Sequence, residues 1–287
     1  MIGAVPPRAL PDVVGDIRLS MDGVAIRVRS DAPAVIDAVA TSYAAFRVAD
    51  PVRERQAEVS IATWRATGRD EPSMILGTLD RIVMAVIDGM ADRGVLGIHA
   101  ATVVVDGRAV VLAGRSGAGK STLTLALLRA GAQLLTDELT LIDRDGSTVL
   151  PYPRAVHVSP TTVELLPELG FLRERPRRAL GADLEWSVST ADLARAFSTS
   201  VAGPSQLGAV VLLEPRGDPS DDPRIESVGA AQAAMELARG TPASARDFMG
   251  TVRRLASIAG SVPTVRLVAT DLGRTTGMLL DHLAASA

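Results

Sequence analysis

One lysine, Lys120, occurs among the 287 residues, and the other Lys-or-Arg positions are all arginine. It stands in Gly114-Arg115-Ser116-Gly117-Ala118-Gly119-Lys120-Ser121. That run fits G-x-x-x-x-G-K-[ST], a loop whose backbone N–H groups cradle phosphates. A slim ammonium there reaches β- and γ-phosphates, and a broad guanidinium is not equivalent. In an Arg-biased chain, one lysine kept at this position argues against a chance match. Gly114, Gly117 and Gly119 let the amides turn inward with no side chain in the way. A helix starting near Lys120 points its positive end at the same oxygens. Ser121 supplies a hydroxyl to Mg²⁺, and Thr122 reads as packing or capping at the end of the nucleotide-binding stretch.

Asp137 and Glu138 follow Lys120 by 17 and 18 residues, room for one helix and one short strand. Two carboxylates beside a γ-phosphate can divide the labour. One takes a proton from an attacking hydroxyl or water; the other holds Mg²⁺. A solvated acidic turn would show the same dipeptide. His99 lies in an apolar run, "GIHAATVV", where a buried histidine bonded to a carbonyl is the ordinary reading. Arg154, in "YPRAVHV", either meets developing phosphate charge or is a surface arginine after a proline. His157 reads as ordinary strand or loop. Arg173, Arg175, Arg177 and Arg178 form a basic loop that either receives an acidic group or is simply solvated. Glu214 ends an apolar run and reads equally as an aid to Mg²⁺ or a solvated strand end.

Hydrophobic residues make up 47% of the chain and aromatics 3%, so the core is aliphatic. The formal charge of −3 gives no electrostatic case for nucleic acid or an anionic membrane. With no cysteine, thiolate metal sites and thiol nucleophiles are excluded. The N-terminus lacks a signal-peptide pattern. The uncharged run from Phe197 to Leu213 carries Ser, Gly, Pro and Gln and is a poor membrane span. A cytoplasmic protein is the expectation.

The elements that must position the site follow from periodicity and turn residues. Apolar alternation around Asp22-Gly23 predicts a hairpin over residues 16–30, then a helix over 34–46 after Pro33 and a strand over 58–64. The "ATGRDEP" stretch reads as a loop. Residues 74–91 read as a helix with one apolar face. Residues 99–105 and 108–113 read as strands joined at Asp106-Gly107, and 121–130 as a helix stopped by Gly131. "QLLTDELTLID" reads as strand, break, strand, and Arg144 to Gly146 as a tight turn. Beyond it come a short helix over 161–169, a loop over 173–181, a strand over 207–213 and a loop over 215–224. Helices over 230–238, 245–259 and 273–283 and a strand over 265–268 complete the chain. The division expected is a small N-terminal α+β lobe, residues 1–72, and an α/β catalytic domain, residues 73–287.

His99-Ala100-Ala101, the Asp106-Gly107 turn, the Gly114–Ser121 loop and Thr136-Asp137-Glu138, in this order, resemble the HPr kinase/phosphorylase family and its shorter relatives. The resemblance is close from Leu96 to Asp143 and loose through "PYPRAVHVSPTTVELLPELG" and "LLEP". It implies a P-loop core akin to that of PEP carboxykinase and an ATP- and Mg²⁺-dependent kinase acting on a hydroxyl. It carries the base to Asp137, Mg²⁺ to Ser121 and Glu138, and the β- and γ-phosphates to Lys120. His99 then orients the base or touches the transferred phosphate.

Two departures matter. The regulatory enzymes carry D-D where Glu138 stands second here, and the downstream R-G-x-G-x-x-D signature is absent. That argues against HPr as substrate and against a reversible phosphorylase. Shorter relatives include kinases of ribosomally made peptides such as lasso-peptide precursors, so the acceptor expected is a serine-type hydroxyl on a peptide or small protein. The alternatives are an ATP-binding or slowly ATP-hydrolysing regulatory protein and a small-molecule kinase. Full HPr kinases form rings, which leaves an oligomer open.

Overall fold

The computed structural model describes residues 13–49, 58–63, 70–180, 183–241 and 248–286. The N-terminal stretch through residue 12, Trp64 and most of the "ATGRDEP" loop lie outside them, as do residues 245–247 of an expected helix.

β1 (Gly15–Met21) and β2 (Val24–Ser30) form the expected hairpin, with Met21 opposite Val24. Asp22 (φ 40°) and Gly23 (φ 87°) supply the two positive φ angles that a tight primed turn needs. α1 (Pro33–Ser42) opens on Pro33 and ends earlier than expected, because a 3-10 turn takes over at Ala44–Phe46. β3 (Glu58–Thr63) runs parallel to β2. α2 (Glu71–Ala91) starts three residues before the apolar pattern, where Asp70 accepts a hydrogen bond from the Ser73 N–H at 2.8 Å. Its buried stripe packs on β1, β2 and α1 in a core that also takes in Leu139, Leu141 and Tyr152.

β4 (Leu96–Val105) and β5 (Arg108–Gly114) are antiparallel across Asp106-Gly107. The glycine loop, α3 (Lys120–Arg129), β6 (Gln133–Thr136), β7 (Leu139–Ile142) and β8 (Thr148–Leu150) follow. β9 (Val156–Val158), β10 (Arg178–Leu180) and β11 (Asp183–Val188) make a small separate sheet. β10 lies in a stretch expected as loop; it becomes a strand by pairing Arg178 opposite Glu185. α4 (Pro160–Leu165) is shorter than expected, since Pro167 has no N–H to continue it and a 3-10 segment runs to Glu174. α5 (Thr190–Phe197) leads to β12 (Ser205–Leu213) and β13 (Arg224–Ser227), then α6 (Ala230–Arg239), α7 (Phe248–Ser261), β14 (Thr264–Val268) and α8 (Leu272–Ala285).

The large sheet runs β13-β14-β12-β5-β4-β7-β8, with β6 also on β4. β12 is parallel to both β5 and β14. Successive residues of one strand feed two cores: Val110 and Leu112 pack with α3, Val111 and Ala113 with α6 and α7. Burial on both faces explains why β4, β5 and β12 read as nearly unbroken apolar runs. The result is a mixed α/β architecture. No helix among the described residues is long and apolar enough to cross a membrane.

Candidate nucleotide and phosphoryl-transfer site

The glycine loop is shaped by local sterics. Gly117 (φ 79°) and Gly119 (φ 93°) hold left-handed backbone that a Cβ would strain. A Cβ at either would meet nothing within 4 Å, so the loop's hollow is open at both positions. Gly114 is fixed for another reason: a Cβ there would come 2.8 Å from the Leu213 carbonyl oxygen of β12. Ala118 N–H bonds the Arg115 carbonyl at 3.1 Å and closes the loop. Lys120 folds back across it, its Nζ donating to the carbonyls of Gly114 at 2.9 Å and Arg115 at 3.2 Å. Burial lowers the Lys120 pKa, while Asp137 and Glu138 act in the other direction.

The acidic turn stands directly beside the loop. Thr136 Oγ1 accepts from the N–H groups of Glu138 and Leu139 at 3.4 and 3.3 Å, pinning the break between β6 and β7. The Ala100 N–H donates to the Glu138 carbonyl at 3.1 Å, so the turn is sewn to β4 next to His99. Ser121 Oγ donates to Asp137 Oδ2 at 2.9 Å. Asp137 is 8% exposed, and its Oδ1 has no hydrogen-bond partner among the described residues. Burial pushes its pKa up to about 7, with the Ser121 hydrogen bond opposing and the Glu138 charge adding.

Glu138 faces a cation. Arg154 Nη1 lies 2.6 Å from Glu138 Oε2, and Arg154 is only 3% exposed, so the surface reading of this arginine is overturned. Its Nη2 meets His157 Nε2 at 2.6 Å, and its Cζ stands 5.8 Å from the Tyr43 ring centroid. Burial disfavours the Arg154 charge, but Glu138 and both tyrosines more than offset this and raise the pKa. Burial and the Arg154 charge lower His157 to about 3, so its neutral ring accepts the guanidinium N–H. The Tyr152 hydroxyl donates to that of Tyr43 at 3.2 Å. These are the two tyrosines of the chain. Their scarcity was the signal that could have marked this cluster; sequence reading singled out neither. Asp80 of α2 is also near, its pKa raised by burial and then by the Glu138 charge.

His99, the fourth residue of β4, is exposed, not buried as the ordinary reading had it. Its pKa is lowered, first by desolvation from the protein on its flanks, then by the Lys120 charge. His99, Gly114, Arg115 and Ser116 line one cavity. Lys120, Ser121, Asp137 and Glu138 form the adjoining cluster. Thr122 turns away and bonds Thr162 of α4 at 2.8 Å. Arg173, Arg175 and Arg177 line a separate cleft with Trp186, and Glu214 pairs with Arg266 at 2.8 Å. No group of three or more His, Asp or Glu among the described residues could hold a metal alone. Mg²⁺ commonly takes only one or two carboxylates, with substrate phosphates completing its shell.

A family model described as "SynChlorMet cassette protein ScmC" matches residues 67–169, the span from α2 past the glycine loop and acidic turn. Over 69 residues the chain is 42% identical to the tRNA modification GTPase MnmE of Mesorhizobium japonicum. That match covers 24% of this chain and 15% of that protein's length. The solved structure of the HPr(Ser) kinase/phosphatase from Coxiella burnetii aligns over 67% of this chain and 99% of that one. The identity there is 15% and the TM-score 0.32.

Proposed function

We propose that this chain is an ATP- and Mg²⁺-dependent kinase that phosphorylates a serine-type hydroxyl on a peptide or small protein. The observation that carries the reading is Asp137: buried, held by Ser121 through one oxygen, and left with its other oxygen unpartnered beside an open glycine hollow. A buried acceptor without a partner is costly, which fits a group waiting for a substrate proton or a cation.

The residues present fit a nucleotide with its metal. The amides from Gly114 to Ser121 and the α3 N-terminus would hold the phosphates, and Lys120 would leave its two carbonyls for the β- and γ-oxygens. Ser121 and Glu138 would hold Mg²⁺, with the Arg154 guanidinium, 2.6 Å from Glu138 Oε2, keeping that carboxylate in place. When bound, the metal supplies positive charge against the phosphate oxygens. Asp137 takes the proton of the acceptor hydroxyl. That oxygen bonds to the γ-phosphorus as the bond to the β–γ bridging oxygen breaks, giving phosphorylated acceptor and ADP. His99, on the wall of the adjoining cavity, would orient the base or touch the transferred phosphate. The order of motifs by which the chain resembles HPr-kinase relatives, His99-Ala100-Ala101, Asp106-Gly107, Gly114–Ser121 and Thr136-Asp137-Glu138, supports the same reading.

The test is transfer of label from γ-labelled ATP to candidate peptides, with Asp137→Asn as control. Labelled peptide from the wild type alone supports the kinase. Label found only in free phosphate favours the second reading, nucleotide hydrolysis, which draws on the 69-residue match to a protein named as a GTPase.

A further inference from the structure

Beside the glycine loop lies a cavity of about 570 Å³, walled by β4, β5, β12 and α6. The volume is in the range of small-ligand sites, about 300–1,000 Å³, and admits a short chain segment and not a folded domain. Part of its lining is aliphatic, from Ile98, Leu212 and Leu237.

Its position is fixed by Lys120. The lysine of such a loop reaches the β- and γ-phosphates. Here its Nζ sits on the carbonyls of Gly114 and Arg115, and both residues also wall the cavity. The cavity therefore adjoins the γ end of the phosphate cradle, the side from which an acceptor must approach in line. His99 faces it from β4.

Its charge is equally particular. Two acids, Glu214 and Glu236, line it, but Arg266 pairs with both. Arg115 and Arg239 also line it, both exposed, and neither guanidinium has a hydrogen bond or ion pair with the described residues. With Arg266 counted, three guanidiniums face two carboxylates, a net charge of about +1, and the forks of Arg115 and Arg239 are left to meet a ligand, where their planar geometry suits a carboxylate.

We propose that this cavity receives the phosphoryl acceptor, and that the acceptor carries a carboxylate close to its hydroxyl, gripped by Arg239 on α6 and Arg115 on the loop. The proposal rests on the kinase reading above and adds the chemistry of the substrate. Arg239 is outside the phosphate machinery and exposed on its helix, so its charge can be reversed without disturbing a core.

The experiment uses fluorescein-labelled short peptides with a central serine flanked by aspartates, asparagines or lysines, the full chain, and Arg239→Glu. Wild type is expected to bind the aspartate-flanked peptide about tenfold or more tighter than the asparagine-flanked one, as charge-assisted hydrogen bonds imply. R239E is expected to lose that preference and favour the lysine-flanked peptide, with MgATP affinity by calorimetry kept within about twofold, as for an ordinary surface change. Equal or absent binding of the peptides, or a preference that R239E leaves intact, overturns the proposal. So does a large loss of MgATP affinity in R239E, which assigns the cavity to the nucleotide. Equal label transfer to aspartate- and asparagine-flanked peptides overturns the carboxylate requirement and leaves the kinase standing. Arg239-dependent binding with no label transfer overturns the kinase reading and supports the carboxylate site alone.

Discussion

Ser121 Oγ donates to Asp137 Oδ2 across 2.9 Å, tying the first turn of α3 to the end of β6. The glycine loop and the acidic turn come from opposite ends of one helix–strand unit, and this bond joins them. It occupies one carboxylate oxygen and leaves the other without a hydrogen-bond partner among the described residues.

Asp137→Asn keeps the size and the Ser121 contact but cannot take a proton. Phosphoryl transfer is expected to fall by about 10²–10⁴, the usual worth of a general base. MgATP affinity by calorimetry should change little. Loss of both together would remove Asp137 from the role of base.

The pKa of about 7 makes the same residue a pH sensor. The folded protein holds a proton that the unfolded chain releases above its ordinary value of 3.8. Folded-state stability from this group is therefore complete below that value and drains away as pH rises toward 7, by about 4 kcal/mol in all. Asn does not titrate. Asp137→Asn should raise the Tm of nucleotide-free protein at pH 8 and give no such gain at pH 4. Wild-type kcat/KM should climb with pH and level off above about 7, since that ratio reports the free enzyme.

Lys120→Ala removes the one ammonium of the loop. Hydrogen bonds to charged groups are worth about 1.5–3 kcal/mol, so nucleotide affinity should drop from about tenfold to over a hundredfold. Calorimetric titration reads this directly. An unchanged affinity would place the phosphates elsewhere.

Arg154→Met leaves Glu138 without its counter-ion. Breaking a buried pair costs about 3–5 kcal/mol. The lower figure is expected, because Glu138 retains 29% side-chain exposure. Urea unfolding of R154M, E138Q and the double variant should show the double less destabilised than the sum. Additive losses would mean that the two side chains do not depend on each other.

Gly114→Ala puts a methyl group 2.8 Å from the Leu213 carbonyl. It should part β5 from β12, lower the Tm and weaken nucleotide binding together. A variant with wild-type Tm would show that the strands have slack at this point.

Much of this was legible in the chain itself. Asp22-Gly23 and Asp106-Gly107 announced their hairpins because positive φ has few suppliers. The run from Gly114 to Ser121 announced its loop for the same reason. What stayed hidden depends on partners distant in sequence. Arg178 reads as a loop residue until Glu185 lies opposite it. Arg154 reads equally as a phosphate contact and as a surface cation until Tyr43, 111 residues earlier, closes over it. His99 sits in an apolar run yet faces outward, since its strand neighbours Ile98 and Ala100 take the buried positions.

The tyrosine over Arg154 has a consequence for anyone who would trim this chain. Every motif proposed to handle phosphate lies after residue 95, and a shortened version starting at α2 would keep them all. It would also lose Tyr43 and the Ser42 carbonyl to which the Ala155 N–H is bonded. The guanidinium that holds Glu138 would then stand under an open roof, with water free to compete for it. Motif boundaries and the boundaries of the working machine are different lines on this sequence.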